Sequence, residues 1–245
     1  MVSCENGRAL MTHDDLPVAS GLACREVTVH FGDRGLRNVS LTVRRGEIYA
    51  LIGGNGAGKT TMINVCLGFL TPQAGAVTLG GIDALAFPTE AKRRLAWVPE
   101  VVKLYPQLTA IQTLAFFDNL AGGHADEQTF IDALDQMRFP RHAIHQPAAT
   151  YSKGMRQKIV LAMGILKNAD VFLLDEPTSG LDPQSNAEFG RTLQALRATG
   201  KAVLLASHDL PNVYATADRI GLLDAGVMID EGNADDFRRR HPHDH

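Results

Sequence analysis

The chain has 245 residues, enough for one large domain or two small ones. Its 45% hydrophobic and 21% charged content is ordinary for a globular protein with a buried core. A formal charge of -3 argues against a nucleic-acid binder, which carries a basic excess.

No apolar run approaches the ~18 residues of a membrane helix. The first twenty residues read as a loose tail without the apolar core of a signal peptide, and Met11 is a second candidate start. Cys4, Cys24 and Cys66 have no short spacing, so neither a disulfide framework nor a zinc site is expected, and a reducing compartment follows.

From Cys24 onward β-rich runs alternate with turn signals: Val27 to His30, Val39 to Val43 and Glu47 to Ile52. Gly53 to Gly58 interrupts, and a helix is predicted over Lys59 to Leu70. Short strands are predicted at Val77 to Leu79 and Leu95 to Val98. The stretch from about 100 to 168 then turns amphipathic, with helical patterns at Ile111 to Leu120, Gln128 to Met137 and Met155 to Leu166. It reads as a helical subdomain inserted into an α/β core. Val171 to Leu174 and Ala202 to Ala206 are continuously apolar, as strands buried on both faces of a parallel sheet are. Helices at Asp182 to Ala198 and Leu210 to Ala215 intervene, and Ile220 to Leu223 with Val227 to Ile229 reads as a closing hairpin. The tail Arg238 to His245 reads as a frayed, solvated terminus. Weak transition-metal binding by its alternating His241, His243 and His245 is the alternative.

The segment Gly53-Gly54-Asn55-Gly56-Ala57-Gly58-Lys59-Thr60 fits G-x-x-x-x-G-K-[ST] between a predicted strand and helix. Glycines let backbone N–H groups turn inward onto phosphate, and the positive end of the following helix points the same way. Lys59 offers a charge to the β- and γ-phosphates, and Thr60 offers a hydroxyl to Mg²⁺. The strand Val171 to Leu174 runs into Asp175 and Glu176. In a parallel sheet both carboxylates reach the crevice that holds the Lys59 loop. Asp175 suits the Mg²⁺ shell, and Glu176 suits the base or positioner of the attacking water. Tyr151 to Gln157 opens a helix, with Ser152 as N-cap and Gly154 admitting a phosphate; taken alone it is an ordinary helix start.

Together with Ser179-Gly180-Leu181-Asp182 and Ser207-His208, these segments occur in the order and spacing of ABC transporter nucleotide-binding domains. The resemblance covers about Leu22 to Gly232. The form Tyr151-Ser152-Lys153-Gly154-Met155 resembles the subfamily that serves ABC-2-type export permeases. The fold it implies is an α/β P-loop NTPase core with a mostly parallel sheet, an N-terminal antiparallel β subdomain and an inserted helical subdomain. One such domain spans 21–240, flanked by a flexible tail at 1–20 and a second tail at 241–245.

The resemblance also implies ATP and Mg²⁺ as ligands and a head-to-tail pair of chains. In that pair each ATP lies between one copy's Gly53–Thr61 loop and the other's Ser152, Gly154 and Met155. It assigns an adenine-stacking ring to Phe31, with a core-packing ring as the lesser alternative. Asp182 takes an inter-subunit role and His208 contacts the γ-phosphate. Glu100 stands where the family usually has glutamine and is carried as a further Mg²⁺ or water contact. The implied partner is a separately encoded permease, which places the chain peripherally on the cytoplasmic face of the membrane. Its expected docking surface includes Leu104, Tyr105, Phe116 and Phe117. The rival readings are a soluble, non-transport ABC ATPase that assembles a protein or metal-cluster complex, and a module that holds ATP without turnover.

Overall fold

The computed structural model describes residues 20–32 and 34–241. Cys4, His243, His245 and residues 1–19 of the tail expected over 1–20 lie outside the described residues.

Two sheets make the frame. The hairpin of β1 (Ser20–Phe31) and β2 (Arg34–Arg44) joins β4 (Ala74–Leu79) and β5 (Ile82–Asp83) in an antiparallel sheet of order β2-β1-β4-β5. The second sheet has the order β10-β9-β3-β8-β7-β6. Its strands β3 (Ile48–Ile52), β6 (Leu95–Val98), β7 (Val171–Asp175), β8 (Ala202–Ser207) and β9 (Arg219–Asp224) pair in parallel, and β10 (Val227–Asn233) closes one edge antiparallel.

The central strands Ile48–Ile52 and Ala202–Ser207 are buried along their whole length, which is why Ile48 to Ile52 and Ala202 to Ala206 read as apolar runs. Alternation along β7 splits its side chains between two cores. Val171 and Leu173 pack with the antiparallel sheet and α1 (Lys59–Cys66). Phe172 and Leu174 pack under α3 (Ala110–Leu120), α4 (Glu127–Gln136) and α5 (Lys153–Leu166), the three helices between β6 and β7. Each of these three begins with a side-chain cap. Thr109 and Gln112 form a reciprocal capping box, Asp126 accepts from Thr129 N, and Ser152 accepts from Met155 N.

The structure corrects two expectations. The helix predicted to Leu70 ends at Cys66, because Gly68 turns left-handed (φ 68°) and Phe69 N and Leu70 N bond back to Asn64 O. Of the tail expected to fray from Arg238, Arg238 to Arg240 are instead the end of α8 (Ala234–Arg240), while residues 242–245 lie outside the described residues. Arg240 and His241 both reach Asp230 at 2.9 Å, and His241 stacks on Phe237 with ring centroids 4.3 Å apart. Phe237 in turn is buried with Ile52, Val213 and Ile220. Two apolar residues in the run Ala234 to Arg240, Ala234 and Phe237, are too few to make a period that predicts a helix, yet both are buried and anchor it. α2 (Pro88–Arg93) carries no capping signal in the sequence, because its N-cap, Phe87, is not a capping residue type.

Candidate functional site

The site forms where β3, β7 and β8 end. β3 delivers the chain into the loop Gly53–Gly58, and α1 starts at Lys59. The loop has to begin with glycine. Gly53 sits at φ 154°, and a Cβ there would lie 2.2 Å from Leu223 O on β9. Gly54, Asn55 and Gly56 are exposed, so the rim of the loop is open, whereas Lys59 is buried at 6% exposure.

A buried ammonium requires partners, and this one has three. Lys59 Nζ donates to Gly53 O at 2.7 Å and to Gly54 O at 3.3 Å, and pairs with Glu176 Oε1 at 3.4 Å. Glu176 is therefore held between two cationic or donor groups: His208 Nδ1 lies 2.8 Å from its Oε2, and His208 N donates to the same oxygen at 3.3 Å. The backbone of Glu176 is itself unusual. It sits at φ 45°, the left-handed region that a residue with a Cβ seldom takes, and its N–H donates to Ala206 O on β8. Strain of this kind at the end of a buried strand persists when the surroundings over-determine it.

Thr60 Oγ1 donates to Asp175 Oδ1 at 3.3 Å. Burial pushes the Asp175 carboxyl above its usual value, and the nearby Glu176 and Glu100 push the same way against the Thr60 bond. A half-buried carboxylate beside a hydroxyl and two further acids is short of positive charge. Its oxygen-only chemistry suits a hard divalent cation. Among the described residues no three His, Cys, Asp or Glu side chains form a complete metal cage. The Thr60–Asp175 pair therefore fits an ion that draws its other ligands from phosphate and water, as Mg²⁺ does.

The remaining expected residues fall into two groups. Glu100 is brought close: its Oε1 accepts from Ser179 Oγ at 3.5 Å. Thr61 follows Thr60 on α1, Ala57 is buried in the loop, and Gly58 is the N-cap of α1. The others make no hydrogen bond or ion pair with Lys59, Asp175 or Glu176. Ser152 and Gly154 open α5, with the Met155 side chain packed into the core beneath the helices. Asp182 caps α6 (Pro183–Ala198), and its carboxyl is lowered by hydrogen bonds from the Ser185 side chain and backbone. Phe31 ends β1 half out in solvent, at 52% exposure, so the core-packing reading of this ring does not hold.

A cleft of about 630 Å³ runs from Glu176 and His208 past Ser179 and Gly180 to Asn186 and Pro211. Lys59 does not line it and meets it only through Glu176. The Glu176–His208 contact was not read from sequence, although a histidine following an apolar strand beside a strand ending in acids was its signal. The structure also brings Cys24 and Cys66 together, with Sγ atoms 3.6 Å apart, as free buried thiols. The hydrogen bond with the Cys66 thiol, and then burial, push the Cys24 thiol up, which keeps it protonated and unreactive.

Three comparisons bear on this arrangement. The family model described as ABC transporter matches residues 36–179. The chain is 34% identical over 201 residues to the ABC transporter ATP-binding protein NatA of Bacillus subtilis, covering 81% of this chain and 82% of that one. It is 36% identical over 207 residues to the doxorubicin resistance ATP-binding protein DrrA of Mycobacterium tuberculosis, covering 84% of this chain and 62% of that one. A solved structure of an ATP-binding subunit of an ABC transporter superposes with a TM-score of 0.75 at 29% identity, covering 90% of this chain and 93% of that one. No helix among the described residues is long and apolar enough to cross a membrane.

Proposed function

This chain belongs to the ABC transporter family of ATP-binding proteins, and from that premise we propose that it hydrolyses ATP to drive a separately encoded membrane permease. What carries the proposal is the convergence of Lys59, Thr60, Asp175, Glu176 and His208 at the ends of three neighbouring strands.

Before nucleotide arrives, Lys59 satisfies itself on its own loop and on Glu176. The β- and γ-phosphates take over those bonds, with the inward N–H groups of Gly53 to Thr61 completing the cradle. Losing Lys59 frees Glu176 to accept a proton from the water that attacks the γ-phosphorus. The P–O bond to ADP breaks as the new one forms, and Glu176 holds the water in line. His208, already hydrogen-bonded to Glu176, has its other ring nitrogen available to the γ-phosphate. Thr60 and Asp175 would hold Mg²⁺, with Glu100 near enough to contact its water. When bound, that ion neutralises the charge building on the phosphates.

The open rim of the loop leaves one side of the nucleotide uncovered. A second copy supplies the cover through the start of its α5, where the Ser152 hydroxyl and the Gly154 N–H reach the γ-phosphate and Met155, whose N–H stays on Ser152 Oγ, packs behind them. Asp182 of each copy then lies at the junction between the two sites, and Phe31 stacks on adenine. The permease docks on exposed aromatic surface near α3. Tyr105 and Phe116 make an edge-to-face pair with centroids 5.5 Å apart, Phe116 continues to Phe117 at 5.2 Å, and Leu104 packs inward beneath them. Such docking places the chain on the cytoplasmic face of the membrane. The subfamily resemblance and the drug-resistance name of DrrA both support export.

The test is Lys59→Ala. Purified chain is expected to bind and hydrolyse ATP with magnesium, and the variant to do neither; turnover surviving in Lys59→Ala would overturn the assignment.

A further inference from the structure

The first two turns of α5 do more than present Ser152 and Gly154. Gln157 is fully buried, and its Nε2 donates to Pro177 O at 2.7 Å. Lys153, half-buried, donates through Nζ to Ser179 O at 2.5 Å. Pro177 and Ser179 are the first and third residues after Glu176, with Thr178 buried between them. On its other side the same loop touches Glu100, through Ser179 Oγ.

The amide of Gln157 can be oriented only one way, since turning it over would set two carbonyl oxygens against each other. In that orientation its Oε1 is buried with no hydrogen-bond partner among the described residues. Leaving a buried acceptor unsatisfied is costly, so the side chain is present for its donor.

We propose that Gln157 is a positioning residue for hydrolysis. With Lys153 it clasps the loop 177–179 to the start of α5, so that the surface reaching a second copy's nucleotide moves as one body with the loop that leads from Glu176 to Asp182. The proposal rests on the two-copy site described above. It gives that site a coupling device: closure of α5 onto the partner's phosphates shifts this chain's own Glu176 loop. Removing the clasp leaves the Lys59 cradle intact and misplaces the base, so kcat falls while KM does not change.

The experiment is steady-state ATP hydrolysis across pH by the full chain and three variants. Gln157→Met keeps the length and loses the donor; its kcat is expected to fall about tenfold with KM within about twofold. Gln157→Glu gives a pH signature. Its buried carboxyl is protonated at low pH and donates O–H to Pro177 O, then turns repulsive as it ionises. Its kcat relative to the unaltered chain should therefore drop as pH rises. Lys153→Met, at a half-exposed position that tolerates substitution, should lower kcat about threefold. It decides the matter if the buried variants fail to fold. Unaltered kcat in Gln157→Met, or in Lys153→Met should it alone fold, overturns the clasp, as does a Gln157→Glu ratio independent of pH. Absence of turnover in the unaltered chain would instead overturn the function on which the clasp rests.

Discussion

Replacing Glu176 by glutamine separates the two roles that its position implies. The side chain keeps its size and loses its charge, so the His208 contact can persist while Lys59 loses its ion pair. At 3.4 Å and an effective dielectric of about 20, Coulomb attraction between Lys59 and Glu176 is ~5 kcal/mol. Desolvation of a buried lysine and a carboxylate offsets most of it, leaving about 1.5 kcal/mol net. An incoming phosphate must displace that contact, so Glu176→Gln is expected to bind ATP about tenfold more tightly. Hydrolysis should fall by about 10²–10⁴, the usual contribution of a general base. A fluorescent ATP analogue titrated into each protein gives the affinity, and phosphate release under single-turnover conditions gives the rate. Hydrolysis at the unaltered rate would refute the base, and weaker binding would refute the resting role of the ion pair.

Gly53→Ala drives a Cβ to 2.2 Å from Leu223 O, and at φ 154° the backbone gives no relief. A loss of about 2 kcal/mol, ~4–8 °C in melting temperature, is expected together with weaker ATP binding, and an unchanged melt would contradict it. The Asp175 carboxyl is raised by burial, so the folded chain retains a proton that the unfolded chain releases. That stability is complete below the unfolded value, about 3.9, and is lost as pH rises through the raised folded value. Asp175→Asn should thus melt above the unaltered chain at neutral pH, hydrolyse no ATP, and lose its thermal advantage in acid; a pH-independent gap in melting temperature would be the contrary result. Aspartate at Tyr105 and Phe116, 49% and 43% exposed, should leave folding and ATP hydrolysis within about twofold. Transport by co-expressed permease should be lost, and retained transport would remove this surface from the docking site.

Local chemistry made much of this molecule legible. The loop Gly53–Thr60 could be read because glycine, lysine and threonine each answer a phosphate or metal requirement at one short spacing. β7 could be read because an apolar run that ends in Asp175 and Glu176 is informative by itself. The strands β3 and β8 were visible for a related reason: burial on both faces makes them apolar almost throughout, with Ser207 at the end of β8 the one small polar residue. What could not be read depends on chain segments far apart in sequence. Nothing near Lys59 announces that Glu176 is its resting partner, and nothing near Gln157 announces Pro177. The fold of the last described residues hangs on Phe237 and on Asp230 receiving Arg240 and His241, none of which makes a periodic pattern. Cys24 and Cys66 looked unrelated at a separation of 42 residues and meet because β1 packs across α1.

The claim at the centre is that one chain's Lys59 loop and a second chain's Ser152–Gly154 segment enclose the same triphosphate. Sedimentation of Glu176→Gln with magnesium and ATP, alongside the same chain carrying Gly154→Asp, measures it directly. The first protein should double in mass when ATP is added. The second should bind ATP yet sediment as a single chain, because a carboxylate now stands where the partner's phosphate belongs. A dimer that forms without ATP, or one that survives Gly154→Asp, would show that the two copies do not share the nucleotide.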